Sequence, residues 1–166
     1  MKKAFHLGLP ALVLFSCLFF SPRVYSMGLS VDPGEIILRG VPLGKKISAA
    51  EFAGEKTKLL IENKSSEDFT YEIDILSTTA ANAPLKQGYK DIPDTSWIIP
   101  EVKEVYIPAK STKTVDVYLS IPENEQYENQ NFQAIINVKS KKNNPEELFV
   151  LAVQLRICIS TKMGTD

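Results

Sequence analysis

The chain has 166 residues, 44% of them hydrophobic and 23% charged, with a formal net charge of −1; that is globular composition at the length of one domain. Residues 1–26 hold Lys2, Lys3, Arg23, the only histidine (His6) and one of two cysteines (Cys17), and no acid, so without them 140 residues remain with 16 basic and 20 acidic groups, a net charge of −4. That remainder has no histidine and a single thiol, Cys158, which excludes histidine-dependent catalysis and argues against zinc sites and a disulfide framework.

The first segment reads as an export signal. Met1-Lys2-Lys3 is a short positive start, Ala4 to Phe20 is almost wholly apolar, and Ser21-Pro22 breaks the run before Val24-Tyr25-Ser26. This is the secretory pattern, with cleavage expected after Ser26. The apolar run is short of the ~20 residues a membrane span requires, and Pro10 near its start weakens it further. Leu14-Phe15-Ser16-Cys17 partly resembles a lipobox, but Phe15 fits that pattern poorly and the apolar run continues past Cys17 to Phe20. The double lysine and compact apolar stretch have a bacterial look. No later stretch is long enough to span a membrane, so the expectation is one exported domain, residues 27–166, in the periplasm or outside the cell.

The rest reads as strands. Leu29 and Val31 begin a short one, and Asp32-Pro33-Gly34 is a turn signal, because Pro fixes φ and Gly accepts positive φ. Ile36 and Leu38 mark the next strand. Ser48 to Ala53 has room for one helical turn. Leu59 and Ile61 mark a strand that the polar run Asn63 to Asp68 links to another, where Phe69, Tyr71, Ile73 and Ile75 alternate with Thr70, Glu72 and Asp74. Asn63-Lys64-Ser65 fits the glycosylation sequon, a triplet common by chance. Thr78 to Ser96, with Pro84, Gly88 and Pro93, reads as a long crossing loop with room for a short strand. Val105 and Ile107 follow. Then Val115, Val117, Leu119 and Ile121 alternate with polar neighbours, and Glu123 to Asn129 offers another helical turn. Phe132, Ala134, Ile136 and Val138 alternate in turn, with Ile135 the apolar exception. After Asn143-Asn144-Pro145, the final strand Glu147 to Ser160 alternates from Phe149 to Ile159, with Cys158 on the non-core side. Alternation of this kind buries one face of a sheet. Seven to eight antiparallel strands with polar turns predict an all-β, immunoglobulin-like β-sandwich. Cys158 then reads as a small filler on a covered face, or, more sharply, as a thiol available for intermolecular pairing.

Chemistry is sparse. Lys110-Ser111 and Ser140-Lys141 lie in turn-like polar runs where both residue types are expected. Glu123, Glu125 and Glu128 read as a solvated acidic patch. Neither they nor Asp91 with Asp94 have the ordered spacing and Gly turn of a calcium loop, so no metal or cofactor is expected. The lysine runs at Lys45-Lys46 and Lys139 to Lys142 have no interleaved aromatics in a net acidic chain, which argues against nucleic acid as a partner. Trp97 reads either as a core plug or, with Tyr106 and Tyr118, as an exposed aromatic platform. The final strand is apolar in both phases at its start. Such a strand is either central and covered, or an edge awaiting a partner; Val150, Ala152 and Gln154 are the candidate edge residues.

Several blocks resemble exported bacterial immunoglobulin-like domains, distantly similar to the pilus-chaperone N-terminal domain and to related domains of unknown function. They are Gly28 to Gly34 as an opening strand, Thr57 to Ser65 as an apolar strand with a Ser-rich turn, and Phe69 to Ile73 as its return. Ile107 to Ser111 followed by Val115 to Pro122, and the aromatic-x-Ala strand Phe132 to Val138, complete them. Pilus chaperones have two such domains, and this chain has room for one. Their carboxylate-anchoring basic pair has two counterparts by residue type, Arg39 and Arg156, with no motif that fixes the match. The resemblance implies a non-enzymatic extracytoplasmic module acting by protein–protein contact, in the manner of chaperone-like strand addition, on another envelope or secreted protein. The alternative is a carbohydrate-binding module of the cell envelope built on Trp97, Tyr106 and Tyr118. Made in a bacterial host with its own leader, the protein should be recovered beginning at Met27, as read by terminal sequencing; an intact Met1, or a lipid on Cys17, contradicts the cleavage expected here.

Overall fold

The computed structural model describes residues 28–141 and 150–162. The expected signal peptide, residues 1–26, lies outside the described residues, as do the Asn143-Asn144-Pro145 turn and Phe149. Among the described residues twelve strands form: β1 (Leu29–Asp32), β2 (Glu35–Val41), β3 (Lys46–Ser48), β4 (Leu59–Asn63), β5 (Phe69–Leu76), β6 (Lys90–Asp91), β7 (Ile98–Pro100), β8 (Glu104–Ile107), β9 (Thr112–Val115), β10 (Val117–Ser120), β11 (Asn131–Ser140) and β12 (Ala152–Thr161). One short helix, α1 (Ala49–Ala53), follows β3, with Ser48 as its N-cap.

The class is the expected all-β sandwich. One layer is a six-stranded sheet in the order β2-β12-β11-β5-β8, with β6 also paired to β11. Two three-stranded sheets, β1-β4-β9 and β3-β10-β7, share a single buried core with it. The strand inventory differs from seven or eight antiparallel strands. There are more and shorter strands, and β2 pairs with β12, and β6 with β11, in parallel. The short strand expected within residues 78–96 is β6.

The main departure is at Asp116. The alternation Val115, Val117, Leu119, Ile121 runs unbroken in sequence and all four side chains are buried, yet the strand changes sheet midway. β9 pairs with β4, whereas β10 pairs with β3 and β7. Asp116 makes the change possible. Its buried carboxylate accepts from Ser48 Oγ at 2.5 Å, Ala50 N at 3.4 Å and Val117 N at 2.7 Å. Its backbone accepts from Glu101 N at 2.9 Å and donates to Glu101 Oε2 at 3.1 Å. The N–H groups freed by the broken ladder and by the start of α1 therefore meet an acceptor instead of being left dry.

A second polar clamp closes the opposite turn. Asn63 is fully buried. Its Nδ2 donates to the carbonyls of Glu67, Ile107 and Pro108, and its Oδ1 accepts from Ser65 N and Oγ. The sequon asparagine is thus a structural tie between the β4–β5 turn and the end of β8.

Asp116→Ala leaves three buried donors without an acceptor, and thermal or urea unfolding should show a loss of about 2–4 kcal/mol; a loss below about 1 kcal/mol would remove Asp116 from the sheet change.

Candidate functional site

β12 has two different halves. From Arg156 to Thr161 it is a central strand, flanked by β11 on one side and β2 on the other. From Ala152 to Leu155 it is paired only with β11, because β2 begins at Glu35, opposite Arg156. Backbone polar groups alternate sides along an antiparallel strand. Leu151 O accepts from Ser140 N and Leu151 N donates to Ser140 Oγ, Thr161 N reaches Gln130 O, and Lys162 N reaches Val41 O. Odd residues therefore face β11, and even residues face β2. Ala152 and Gln154, two of the three candidate edge residues, turn their N–H and C=O toward the side on which no described strand pairs with them. Val150, the third, shares their outward phase and is exposed.

The other edges are blunted. β1 runs into Pro33, β2 carries Gly40 and runs into Pro42, β7 ends on Pro100 and β8 runs into Pro108, while β3 and β9 carry Lys46 and Lys113. Proline and charge are the usual devices against unwanted strand pairing. Val150 to Leu155 contains no proline, glycine or charge. On its inner face Leu151 and Val153 are only half-buried, so an added strand would have apolar surface to cover.

The outer face beside this edge has its own cover. Residues 83–86 lie across β11 and are held by the Gln133 amide, which accepts from Lys86 N at 2.8 Å and donates to Pro84 O at 3.0 Å. Gln133 is fully buried, as is Cys158 across from it, and Ile135 is only 2% exposed. The apolar exception Ile135 and the small Cys158 are thus a thin second core. Cys158 is a buried filler, not a thiol available for pairing. Lys86 Nζ binds both oxygens of Glu35, at 2.9 and 3.0 Å, and holds that carboxyl below the usual range. Burial, with the Glu35 charge, pushes the Cys158 thiol up to about 11. Where this cover ends, a recess of about 420 Å³ opens between Pro84 and Arg156, next to Gln154.

The aromatic candidates do not come together. Trp97 is buried, with ring centroids 4.8 Å from Tyr127 and 5.8 Å from Phe132, both edge-on. It plugs the core, the competing reading of its sequence context. Tyr106, 51% exposed, is on β8 and donates to Asp68. Tyr118 is on β10, in another sheet, under Lys46 Nζ at 4.7 Å from its ring centroid. Arg39 and Arg156 are not adjacent either. Arg39 lies opposite Ser160, four residues or ~13 Å along β12 from Arg156. The residues that sequence reasoning missed are Gln133 and Glu35, whose roles depend on the covering segment.

No protein-family model and no curated protein matches the chain. Solved structures do. A PapD-like domain of human CEP192 superposes with a TM-score of 0.58 at 10% identity, covering 96% of this chain and 99% of that one. The fold is PapD-like. The Salmonella enterica SafB chaperone, in complex with the SafA pilin, gives a TM-score of 0.52 at 6% identity over 84% of this chain and 57% of that one. The periplasmic chaperone SfaE gives 0.50 at 12% identity over 82% and 59%. The chain thus spans somewhat over half the length of these chaperone chains.

Between about pH 8.5, where a free thiol ionises, and about 11, the unfolded chain releases the Cys158 proton and the folded chain retains it. Stability should fall across that window by on the order of 2 kcal/mol more in the wild type than in Cys158→Ala, by denaturant titration. Parallel pH profiles for the two proteins would contradict the buried thiol.

Proposed function

We propose that this chain is a non-enzymatic, exported binding or assembly module that takes an extended segment of another envelope or secreted protein by strand addition along residues 150–155. The carrying observation is that Ala152 and Gln154 present two N–H and two C=O groups on an unblunted edge. Its fold likeness to SfaE, a periplasmic chaperone, and to SafB, a chaperone in complex with a pilin, supports a protein strand as the occupant. The pattern of residues 1–26 supports export, and no helix among the described residues is long and apolar enough to cross a membrane.

The mechanism is β-augmentation. Main-chain hydrogen bonds hold the incoming strand, and alternate side chains decide which strand is accepted. Four such bonds contribute about 0.5–1.5 kcal/mol each, a gross gain that the loss of translational freedom largely offsets. Cover of Leu151 and Val153 must supply the rest, so the partner strand carries aliphatic residues on its inner phase.

The probe is a fluorescein-labelled, C-terminally amidated ten-residue peptide of alternating valine and serine. Ala152→Pro and Gln154→Pro remove only outward N–H groups and leave the β11 ladder whole. Each should weaken peptide binding by about ten-fold or more, the equivalent of about 1.4 kcal/mol, in fluorescence polarisation. Val150→Lys and Ala152→Lys should weaken it as well. Wild-type binding by both proline variants would overturn strand addition at this edge.

A further inference from the structure

The open edge ends at an arginine whose guanidinium is poorly engaged. Arg156 lies on the outer face of β12, half-exposed, at the point where β2 takes over the pairing. Among the described residues it makes one ion pair, at 3.9 Å to Glu35 Oε1, beyond hydrogen-bond distance. Glu35 is already held through both oxygens by Lys86 Nζ. The three side chains together carry one surplus positive charge, and it resides on Arg156. The adjoining recess is walled by Ala83, Pro84 and Ile135 and opens beside Gln154 and Gly34. Apart from Gly34 and its two chain neighbours, no atom lies within 4 Å of where a Cβ on Gly34 would stand.

A strand laid against Ala152 and Gln154 would place alternate side chains on this same outer face. Its next outward side chain would stand diagonally across from Arg156, within reach of a long side chain. The end of such a strand would lie in the plane of the sheet, against Gly34, whereas the guanidinium stands above that plane. The group matched to it is therefore a side chain of the strand rather than the terminus of its backbone.

We infer that the recess beside Arg156 is a selectivity pocket that accepts an acidic side chain of the added strand, its carboxylate meeting the Arg156 guanidinium and its stem lying on Pro84 and Ile135. This inference rests on strand addition at residues 150–155 and specifies the chemistry of the partner: an extended segment with aliphatic residues on the inner phase and an aspartate or glutamate on the outer phase, near the end that reaches Gly34. An arginine–carboxylate pair fixes geometry as well as charge, through two parallel N–H donors.

The test uses the amidated valine–serine peptide, with glutamate placed in turn at each serine, and the matching glutamine series. One glutamate position should bind about three- to ten-fold tighter than its glutamine counterpart, the range between an exposed and a well-formed charged contact. Arg156→Gln should erase that preference. Arg156→Lys should keep part of it, and raising NaCl from 50 to 500 mM should shrink it. Equal binding of both series, or a preference that survives Arg156→Gln, overturns the pocket while leaving strand addition standing. A preference for the unamidated peptide lacking glutamate, lost in Arg156→Gln, assigns the arginine to a chain terminus and overturns the side-chain pocket. If no peptide binds, strand addition itself fails, and the pocket with it.

Discussion

The controlling constraint is where the chain crosses from one layer to the other. β1 belongs to a three-stranded sheet and β2 to the six-stranded sheet, and only Pro33 and Gly34 separate them. Proline lacks the N–H that a ladder requires, and glycine adds no side chain at the corner. The crossing fixes Glu35 as the first residue that can pair with β12. Had the crossing come four residues earlier, β2 would have covered Ala152 to Leu155 and the sheet would have no open step. The edge is thus a by-product of covering two layers with one stretch of chain, and it has been left without the proline or charge found on the others.

The same requirement recurs wherever the sheets are interrupted: each broken ladder needs a replacement acceptor or donor. Asp116 supplies it at the β9–β10 change, Asn63 at the β4–β5 turn, and Gln133 under the 83–86 segment. All three are buried polar side chains, and each is hydrogen-bonded. The exception among the described residues is the Tyr71 hydroxyl, which is buried with no partner, a cost of about 1–3 kcal/mol that the surrounding core must offset.

Period-two alternation located β5, β11 and β12 in the sequence with their core faces, because half-buried strands write their burial into every second residue. It could not show the break at Asp116. The apolar phase runs straight through it, and the change of partner is decided by Ser48 and Glu101, remote in sequence. Trp97 was ambiguous for a similar reason, since its burial depends on Tyr127 and Phe132 reaching it from other segments. Apolar side chains on the polar phase, Ile135 and Cys158, were the legible trace of a second cover, but the segment that supplies it has few apolar anchors. The both-phase apolar start of the last strand was informative in an unexpected way. In sequence such a start signals either a central strand or an edge, and among the described residues β12 is an edge at its beginning and central beyond Arg156.

The buried amide of Asn63 bears on how the protein can be made. In a secretory pathway that attaches glycans to Asn-x-Ser triplets, the transferase would meet Asn63-Lys64-Ser65 before the β4–β5 turn closes. A sugar on Nδ2 would replace one of the two N–H donors that serve the carbonyls of Glu67, Ile107 and Pro108, and there is no solvent-facing space for it. A chain produced there can carry the glycan or the native turn, but not both, so heterogeneous and poorly secreted material is the outcome to expect from such a host, whereas a bacterial one imposes no such choice.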